Sequence, residues 1–470
     1  MLQLDGVRIY SASDLVSFLE CEHSTTLALI DLETPLPRNP EDEHLALVQA
    51  RGLAHERAWL ATLTARHERV IDINEHAGKS IPSRVEATLQ AMRDGYDVIY
   101  QAAFLDGQLL GYADFLVKVA APSALGDYSY ETVDTKLALS SRSKFLVQLA
   151  FYSHLLARAQ GSYPEHMRVV LGSNTEATYR CADYRYYFDT ALARFLSRVT
   201  EDAAATGTYP DPCDKCSQCH WSDLCDARRV QDDHLSQVAG ISRVQIRKLT
   251  GAGVSTLAGL ATMPPGTTVA KIAPATLERL RSQAELQHLY RQDGVRRHIL
   301  LKKLPGDTHA RGFERLPPPN PGDMFFDMEG NPLETGGLEY LFGVWEVDQP
   351  GGYFRSFWAH NRAEEKLAFE QFMDYVDARL ARYPGAHIYH YAPYEPTALR
   401  KLMSVHGTRE ASVDNLLRRG KLVDLYAVVR EALRVSEPSY SIKYIERFYR
   451  GARAGTVTNA GASIVFYERW

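Results

Sequence analysis

Near the N-terminus the apolar positions fall at helical spacing. Leu45, Val48, Gly52, His55 and Trp59 recur every three or four residues, which predicts a helix with His55 on its inward face. The pattern then tightens to that of strands. VIYQAAFL (98–105) and QLLGYADFLVKV (108–119) are apolar runs joined by Asp106-Gly107, a pair that tolerates the positive φ of a tight hairpin. A third strand is predicted over YSYETVDTKLA (128–138), followed by a helix with Phe145, Leu149, Tyr152 and Leu156 on one stripe and a buried strand at HMRVVLGS (166–173). The order is helix, three strands, helix, strand. Cys181 lies alone in a further predicted strand.

Beyond the first 226 residues the pattern changes twice. Residues 227–303 are glycine-punctuated and helical, with turns at Ala239-Gly240 and Gly251-Ala252-Gly253, each preceding a short helix. RLPPPNPGD carries Pro317, Pro318, Pro319 and Pro321 within a stiff stretch, 304–321, that predicts a linker. A last unit, 322–470, opens with the apolar strand MFFDMEGNP and continues with YLFGVWEV and YFRSFWAH. A helix bearing Phe369, Phe372, Met373, Val376 and Leu380 follows, then a strand, AHIYHYAP, that runs into Tyr394-Glu395. The expected fold class is multidomain α/β.

Composition narrows the function classes. At 470 residues the chain has room for about three domains, and 45 % hydrophobic with 24 % charged residues is ordinary globular composition. The net charge of −5 requires any nucleic-acid surface to be local. Such a surface is available in 240–303, where eleven Lys and Arg stand against Glu278, Glu285 and Asp293. MLQLDGVRIY lacks the basic-then-apolar pattern of a signal peptide, and FLVQLAFYSHLLA is too short to span a bilayer and is interrupted by Gln148 and His154. A soluble cytoplasmic protein with no membrane partner is expected. A phosphate-loop ATPase is not supported, because Gly78-Lys79-Ser80 has Ile73 where the motif requires glycine.

The chemistry-bearing residues cluster. Asp114 lies on the middle strand, and Asp134 and Lys136, two apart on the next, share a face. Two carboxylates suit a hard divalent cation, and a lysine beside them can hold a phosphate oxygen or help activate water. The alternative is a surface ion pair on an edge strand. Gly52-x-x-His55, Gly111-x-x-Asp114, Asp134-x-Lys136 and Gln148-x-x-x-Tyr152, in this order, resemble the RecB-like branch of the PD-(D/E)XK nucleases. The resemblance implies a restriction-endonuclease-like core in 1–226, with His55, Asp114 and Asp134 as ligands of Mg²⁺ or Mn²⁺. It also implies that Lys136 is catalytic and that Gln148 and Tyr152, one helical turn apart, place the substrate strand.

Four of the six cysteines, Cys213, Cys216, Cys219 and Cys225, fall within thirteen positions. Zn²⁺ could take four ligands from these and His220. The alternative is a [4Fe-4S] cluster. One early cysteine followed by C-x2-C-x5-C is similar to the iron-sulfur nucleases, among them the AddB subunit and the CRISPR-associated RecB-like exonucleases. That resemblance selects Cys21, Cys216, Cys219 and Cys225, leaves Cys213 over, and favours iron-sulfur over zinc.

The glycine turns of the middle segment resemble tandem helix-hairpin-helix units, which implies phosphate contacts near Gly240, Gly251, Gly253, Arg247 and Lys248. A helical connector with a solvated basic face is the alternative. In the last unit, Asp327 and Glu329 on the first strand and Glu395 after the fourth resemble the ribonuclease H-like, DEDD-type exonucleases, and imply a second two-metal site. Asp424 stands where relatives carry an additional acidic residue. The late carboxylate of that pattern is not found before Trp470, so a truncated domain continuing into a helicase and a degenerate binding domain both stay open. A RecB-like domain followed by a ribonuclease H-like one is similar to a bacterial family of RecB-type nucleases. It implies a metal-dependent nuclease acting on DNA, exonucleolytic on single-stranded ends, in repair or processing. The rival expectation is a non-catalytic adaptor that delivers DNA ends to a helicase.

Overall fold

The computed structural model describes residues 1–40, 42–200, 207–303, 306, 308–451, 457 and 459–470; Leu304, Pro305 and Asp307 of the expected linker lie outside them. Two compact units emerge, Met1–Asp226 and Ala227–Trp470. No helix among the described residues is long and apolar enough to cross a membrane.

In the first unit a small hairpin, β1 (Leu2–Leu4) and β2 (Val7–Ser11), leads into α1 (Ala12–Glu20). Ser11 and Asp14 cap α1 reciprocally, satisfying amide groups that the first turn leaves open. Then come α2 (Glu22–Glu33) and α3 (Glu43–Arg66). Leu45 is exposed while Trp59 and Leu63 are buried, so the predicted stripe becomes an inward face only toward the end of α3.

The sheet begins with β3 (Val70–Asp72), followed by α4 (Ile73–His76) and α5 (Ile81–Arg93). The expected hairpin is β4 (Val98–Asp106) and β5 (Leu109–Val119), with Gly107 at φ +57° in its turn. β6 (Ser129–Lys136), α6 (Ser143–Gln160) and β7 (His166–Leu171) occupy the remaining predicted places. A short strand, β8 (Glu176–Arg180), precedes α7 (Cys181–Thr200), and α8 (Ser222–Gln231) follows the cysteine-rich segment. Cys181 therefore opens a buried helix and does not lie in a strand; α7 packs Phe188, Leu192 and Phe195 inward at helical spacing.

The sheet runs β3-β4-β5-β6-β7-β8, with β2 joining the start of β5. β4, β5 and β6 are antiparallel, whereas β6 and β7 are parallel because α6 carries the chain back across the sheet. One face packs on α6 through Leu149, Phe151 and Leu156, and the other on α3 through Trp59 and Leu63 against Tyr100, Phe115 and Val133. Each such large apolar side chain contributes about 1.5–3 kcal/mol by leaving water.

The second unit opens with α9 (Arg243–Gly251), α10 (Leu257–Ala261) and α11 (Pro274–Asp293), which share a core of Leu235, Ile246, Leu257 and Leu280. β9 (His298–Leu300) follows, and then β10 (Met324–Asn331), β11 (Leu338–Glu346) and β12 (Tyr353–Trp358), which are antiparallel neighbours. After α12 (Arg362–Arg382), β13 (Ile388–His390) adds to β10 in parallel. α13 (Tyr394–His406) and α14 (Glu410–Arg418) lead to β14 (Leu422–Asp424), completing the order β12-β11-β10-β13-β14. Met324, Phe326 and Met328 alternate into a core with Phe342, Phe369 and Phe372, so Phe325, Asp327 and Glu329 take the opposite face. The chain ends through α15 (Leu425–Ala432), β15 (Leu433–Val435), α16 (Ile442–Ile445) and α17 (Ala460–Arg469).

The helical segment and the proline-rich stretch are bound into this unit. β9 pairs with β15, Gln283 Nε2 donates 2.7 Å to the Val435 carbonyl, and the Gly312 amide donates 3.1 Å to Glu431.

A glycine fixes the end of the strand that carries Lys136. A Cβ on Gly172 would stand 2.3 Å from the Leu137 carbonyl oxygen, which is backbone and cannot swing aside. Gly172→Ala is expected to destabilise the first unit by about 1–3 kcal/mol in urea unfolding, as overpacking does. Gly6→Ala, with nothing within 4 Å of its Cβ but a φ of +81°, serves as the backbone-only comparison.

Candidate functional site

Asp114 and Asp134 are brought face to face by strand register. Phe115 pairs with Val133, so one step further along the ladder Asp114 stands across from Asp134. The β-branched run Thr132, Val133, Thr135 favours the strand that holds Asp134 in place. The Thr135 amide donates 3.1 Å to Asp114 Oδ2, fixing that carboxyl. Asp134 is wholly buried, and among the described residues its carboxylate oxygens have no hydrogen-bond partner of good geometry; its compensation is an ion pair with the Lys136 ammonium.

The electrostatics follow from this crowding. Burial, then the neighbouring Asp134 charge, hold the Asp114 carboxyl well above the usual carboxylate range, with Lys136 opposing. Burial works against the Lys136 charge, but Asp134 and Asp114 outweigh it and keep the ammonium above its ordinary value. Gln148 Nε2 donates 2.9 Å to the Tyr152 hydroxyl, and burial together with Asp134 raises that phenol. Asp114, Asp134, Lys136, Gln148 and Tyr152 thus form one neighbourhood.

His55 has no hydrogen bond to either carboxylate among the described residues; its Nε2 is buried without a hydrogen-bond partner. The residue after it, Glu56, reaches the centre, and sequence reasoning missed it. Glu56 raises both Asp114 and Lys136, and its Oε1 accepts a 2.6 Å hydrogen bond from Gln101 Nε2. Gln101 is at φ +54°, a left-handed kink inside β4. No spacing in the sequence signals that kink.

The cysteines are free of disulfides. Cys21 lies between α1 and α2, and with Cys219 and Cys213 it is close enough to bear on the charge of Lys215, whose ammonium burial pushes down. Cys213 Sγ is 3.8 Å from Cys216 Sγ, while Cys219 and Cys225 share an apolar cluster with Trp221. Chain positions nearly two hundred residues apart are therefore gathered at one end of the unit.

In the second unit Asp327, Glu329, His390, Glu395 and Lys443 line a cavity of about 660 Å³. Among the described residues Glu395 Oε2 is buried with no hydrogen-bond partner of good geometry, 3.5 Å from His390 Nδ1, whose own hydrogen bond of 2.7 Å goes to the Ala392 carbonyl. Burial and Asp327 raise the Glu329 carboxyl, against hydrogen bonds from Ser463 and Tyr340. Asp424 is occupied as a cap, with Oδ1 accepting from the amides of Ala392 at 3.0 Å and Tyr426 at 2.9 Å.

In the helical segment Gly240 and Gly253 take left-handed backbone, at φ +74° and +84°, which their turns require. Gly251 ends α9, Arg247 is exposed, and Lys248 Nζ is turned onto the Lys271 carbonyl at 2.5 Å.

Among the described residues no three His, Cys, Asp or Glu side chains close into a metal cage. The donor chemistry nonetheless fits. A buried carboxylate with unsatisfied oxygens and a buried imidazole nitrogen without a partner suit a hard divalent ion, and free thiols suit a soft one.

The RNase H superfamily model matches residues 324–470, the span of β10 to α17. The C-terminal domain is thus RNase H-like, a nuclease-type fold. No curated protein matches the chain significantly.

If Asp114 and Asp134 repel across the strands, Asp114→Asn relieves the repulsion and removes a ligand together. Its metal-free melting temperature is expected to equal or exceed that of the wild type, while titration calorimetry with Mn²⁺ loses one site. A variant that melts lower and binds wild-type amounts of Mn²⁺ contradicts the assignment.

Proposed function

We propose that this protein is a metal-dependent nuclease that hydrolyses DNA phosphodiester bonds, acting as an exonuclease on single-stranded ends. The observation that supports this most is the wholly buried Asp134 carboxylate, facing Asp114 and, among the described residues, paired with Lys136 alone. Two facing carboxylates that share a single ammonium are costly to keep from water, and a site that keeps them is arranged for a cation.

His55, Asp114 and Asp134 would hold Mg²⁺ or Mn²⁺, which when bound supplies stabilisation of the charge that builds on the phosphate. Lys136 orients the attacking water and donates a hydrogen bond to a non-bridging phosphate oxygen. Asp134 keeps that lysine protonated and in place. Gln148 and Tyr152, linked to each other, position the strand, and Glu56 holds Gln101 at the rim. Cys21, Cys216, Cys219 and Cys225 would hold a structural [4Fe-4S] cluster that ties α1 to the end of the unit. DNA is the partner, and a helicase is the source of single-stranded ends.

A second reading rests on the 660 Å³ cavity that Asp327, Glu329 and Glu395 line in the RNase H-like domain. It places cleavage there, with RNA or DNA as substrate. Anaerobically purified wild type, Lys136→Ala and Asp327→Asn are compared on end-labelled single-stranded DNA and RNA with Mg²⁺ or Mn²⁺. Lys136→Ala is expected to lose about 100-fold or more in kcat while binding is retained, and Asp327→Asn to cleave DNA normally. The opposite pattern supports the second reading. DNA binding without cleavage by wild type would make the protein an adaptor.

Cys216→Ser is expected to lose the iron content and visible absorbance of the anaerobic protein, and Cys213→Ser to keep both. Equal loss in both variants, or stoichiometric zinc in place of iron, contradicts the ligand set.

A further inference from the structure

We propose that Arg279, Arg430 and Arg434, gathered at the Gly240 hairpin, form a binding site for the phosphate backbone of a nucleic-acid strand. The three lie on α11, α15 and β15. These elements are held rigidly: Gln283 of α11 donates to the Val435 carbonyl and accepts a 2.8 Å hydrogen bond from the Tyr440 hydroxyl. Gly240 provides the space between the guanidiniums. A Cβ there would stand 3.6 Å from Arg279 Nη1 and 4.0 Å from Arg430 Nη2, so two guanidiniums close on one point at the turn.

None of the three has a carboxylate partner among the described residues. Other arginines of the unit do: Arg281 pairs with Glu278, Arg291 with Asp233, Arg296 with Glu437 and Arg297 with Asp293. Among the described residues Arg434 Nε is buried with no acceptor, and Arg430 Nη1 reaches the Tyr426 hydroxyl alone, at 3.3 Å. Burial, then Arg434 and Arg430, pull the Arg279 guanidinium below its usual value, with only Tyr440 opposing. An acidic chain thus holds three like charges together and leaves their neutralisation to something that arrives.

Guanidinium forks match phosphate oxygens and bind them in pairs. Arg430 and Gly240 are exposed, so the site opens on the surface and suits a strand lying across it more than an enclosed small anion. The identity of the polyanion rests on the nuclease reading above; the anion site does not.

The test uses the full chain with EDTA, so that nothing is cleaved, and follows the anisotropy of a labelled single-stranded oligonucleotide across a salt series. Arg279→Gln with Arg434→Gln is expected to weaken binding roughly tenfold and to flatten the salt slope by about one unit per lost phosphate contact. The double Lys variant restores most of the slope and answers the question if the Gln variant does not fold. Arg185→Gln with Arg418→Gln, the same loss of two charges at side chains 58 % and 76 % exposed, is the control. Affinity and slope like those of that control overturn the proposal. Displacement of the oligonucleotide by inorganic phosphate at equal phosphate concentration also overturns it, in favour of a small-anion site. Arginine-dependent binding by a wild type that cleaves nothing would sink the nuclease reading alone, whereas cleavage with no arginine dependence would sink this proposal alone.

Discussion

Two carboxylates facing each other across an antiparallel ladder, one wholly buried and one half-buried, with a single ammonium beside them, are the constraint on which the first unit depends. Charges removed from solvent are tolerated only where a counter-charge or a hydrogen-bond network offsets their lost hydration. Here the network is thin: the Thr135 amide serves Asp114, and Lys136 serves Asp134. The surrounding apolar structure enforces the arrangement. Trp59 and Leu63 cover one face of the sheet and Leu149 and Phe151 the other, so neither strand can twist to release its acid.

The second unit solves a related problem differently. Its alternating strand sends Met324, Phe326 and Met328 to the core, which leaves Asp327 and Glu329 on the face toward a cavity with Lys443 and His390. The helical segment is fused to this domain through the β9–β15 pair and the Gln283 bridge. The arginine cluster lies along that seam because α11, α15 and β15 meet there. A phosphate surface and a carboxylate-lined cavity thus belong to one compact unit.

Local pattern carried much of this in the sequence. The hairpin at Asp106-Gly107, the acids two apart on β10 and the i, i+4 pair Gln148 and Tyr152 are all spacings of one element, and periodicity reads them directly. Features that depend on two distant elements were not legible. Glu56 reaches the centre only because β4 kinks at Gln101, and Arg434 gains its meaning from the packing of β15 on α11. The strand expected at Cys181 ends one residue before it, at Arg180, and the helical stripe Phe188, Leu192 and Phe195 places Cys181 at the start of α7. The proline-rich stretch reads as a hinge by composition, yet Gly312 packs against Ala432 and Arg315 pairs with Glu431.

The central claim is that the facing carboxylates of Asp114 and Asp134 are kept for a cation. Anomalous diffraction from crystals of the full chain soaked with Mn²⁺ tests it most directly. The account predicts an anomalous peak between the two carboxylates, with the His55 imidazole turned toward it. Well-ordered crystals with no peak there, or with manganese confined to Asp327 and Glu329, would contradict it.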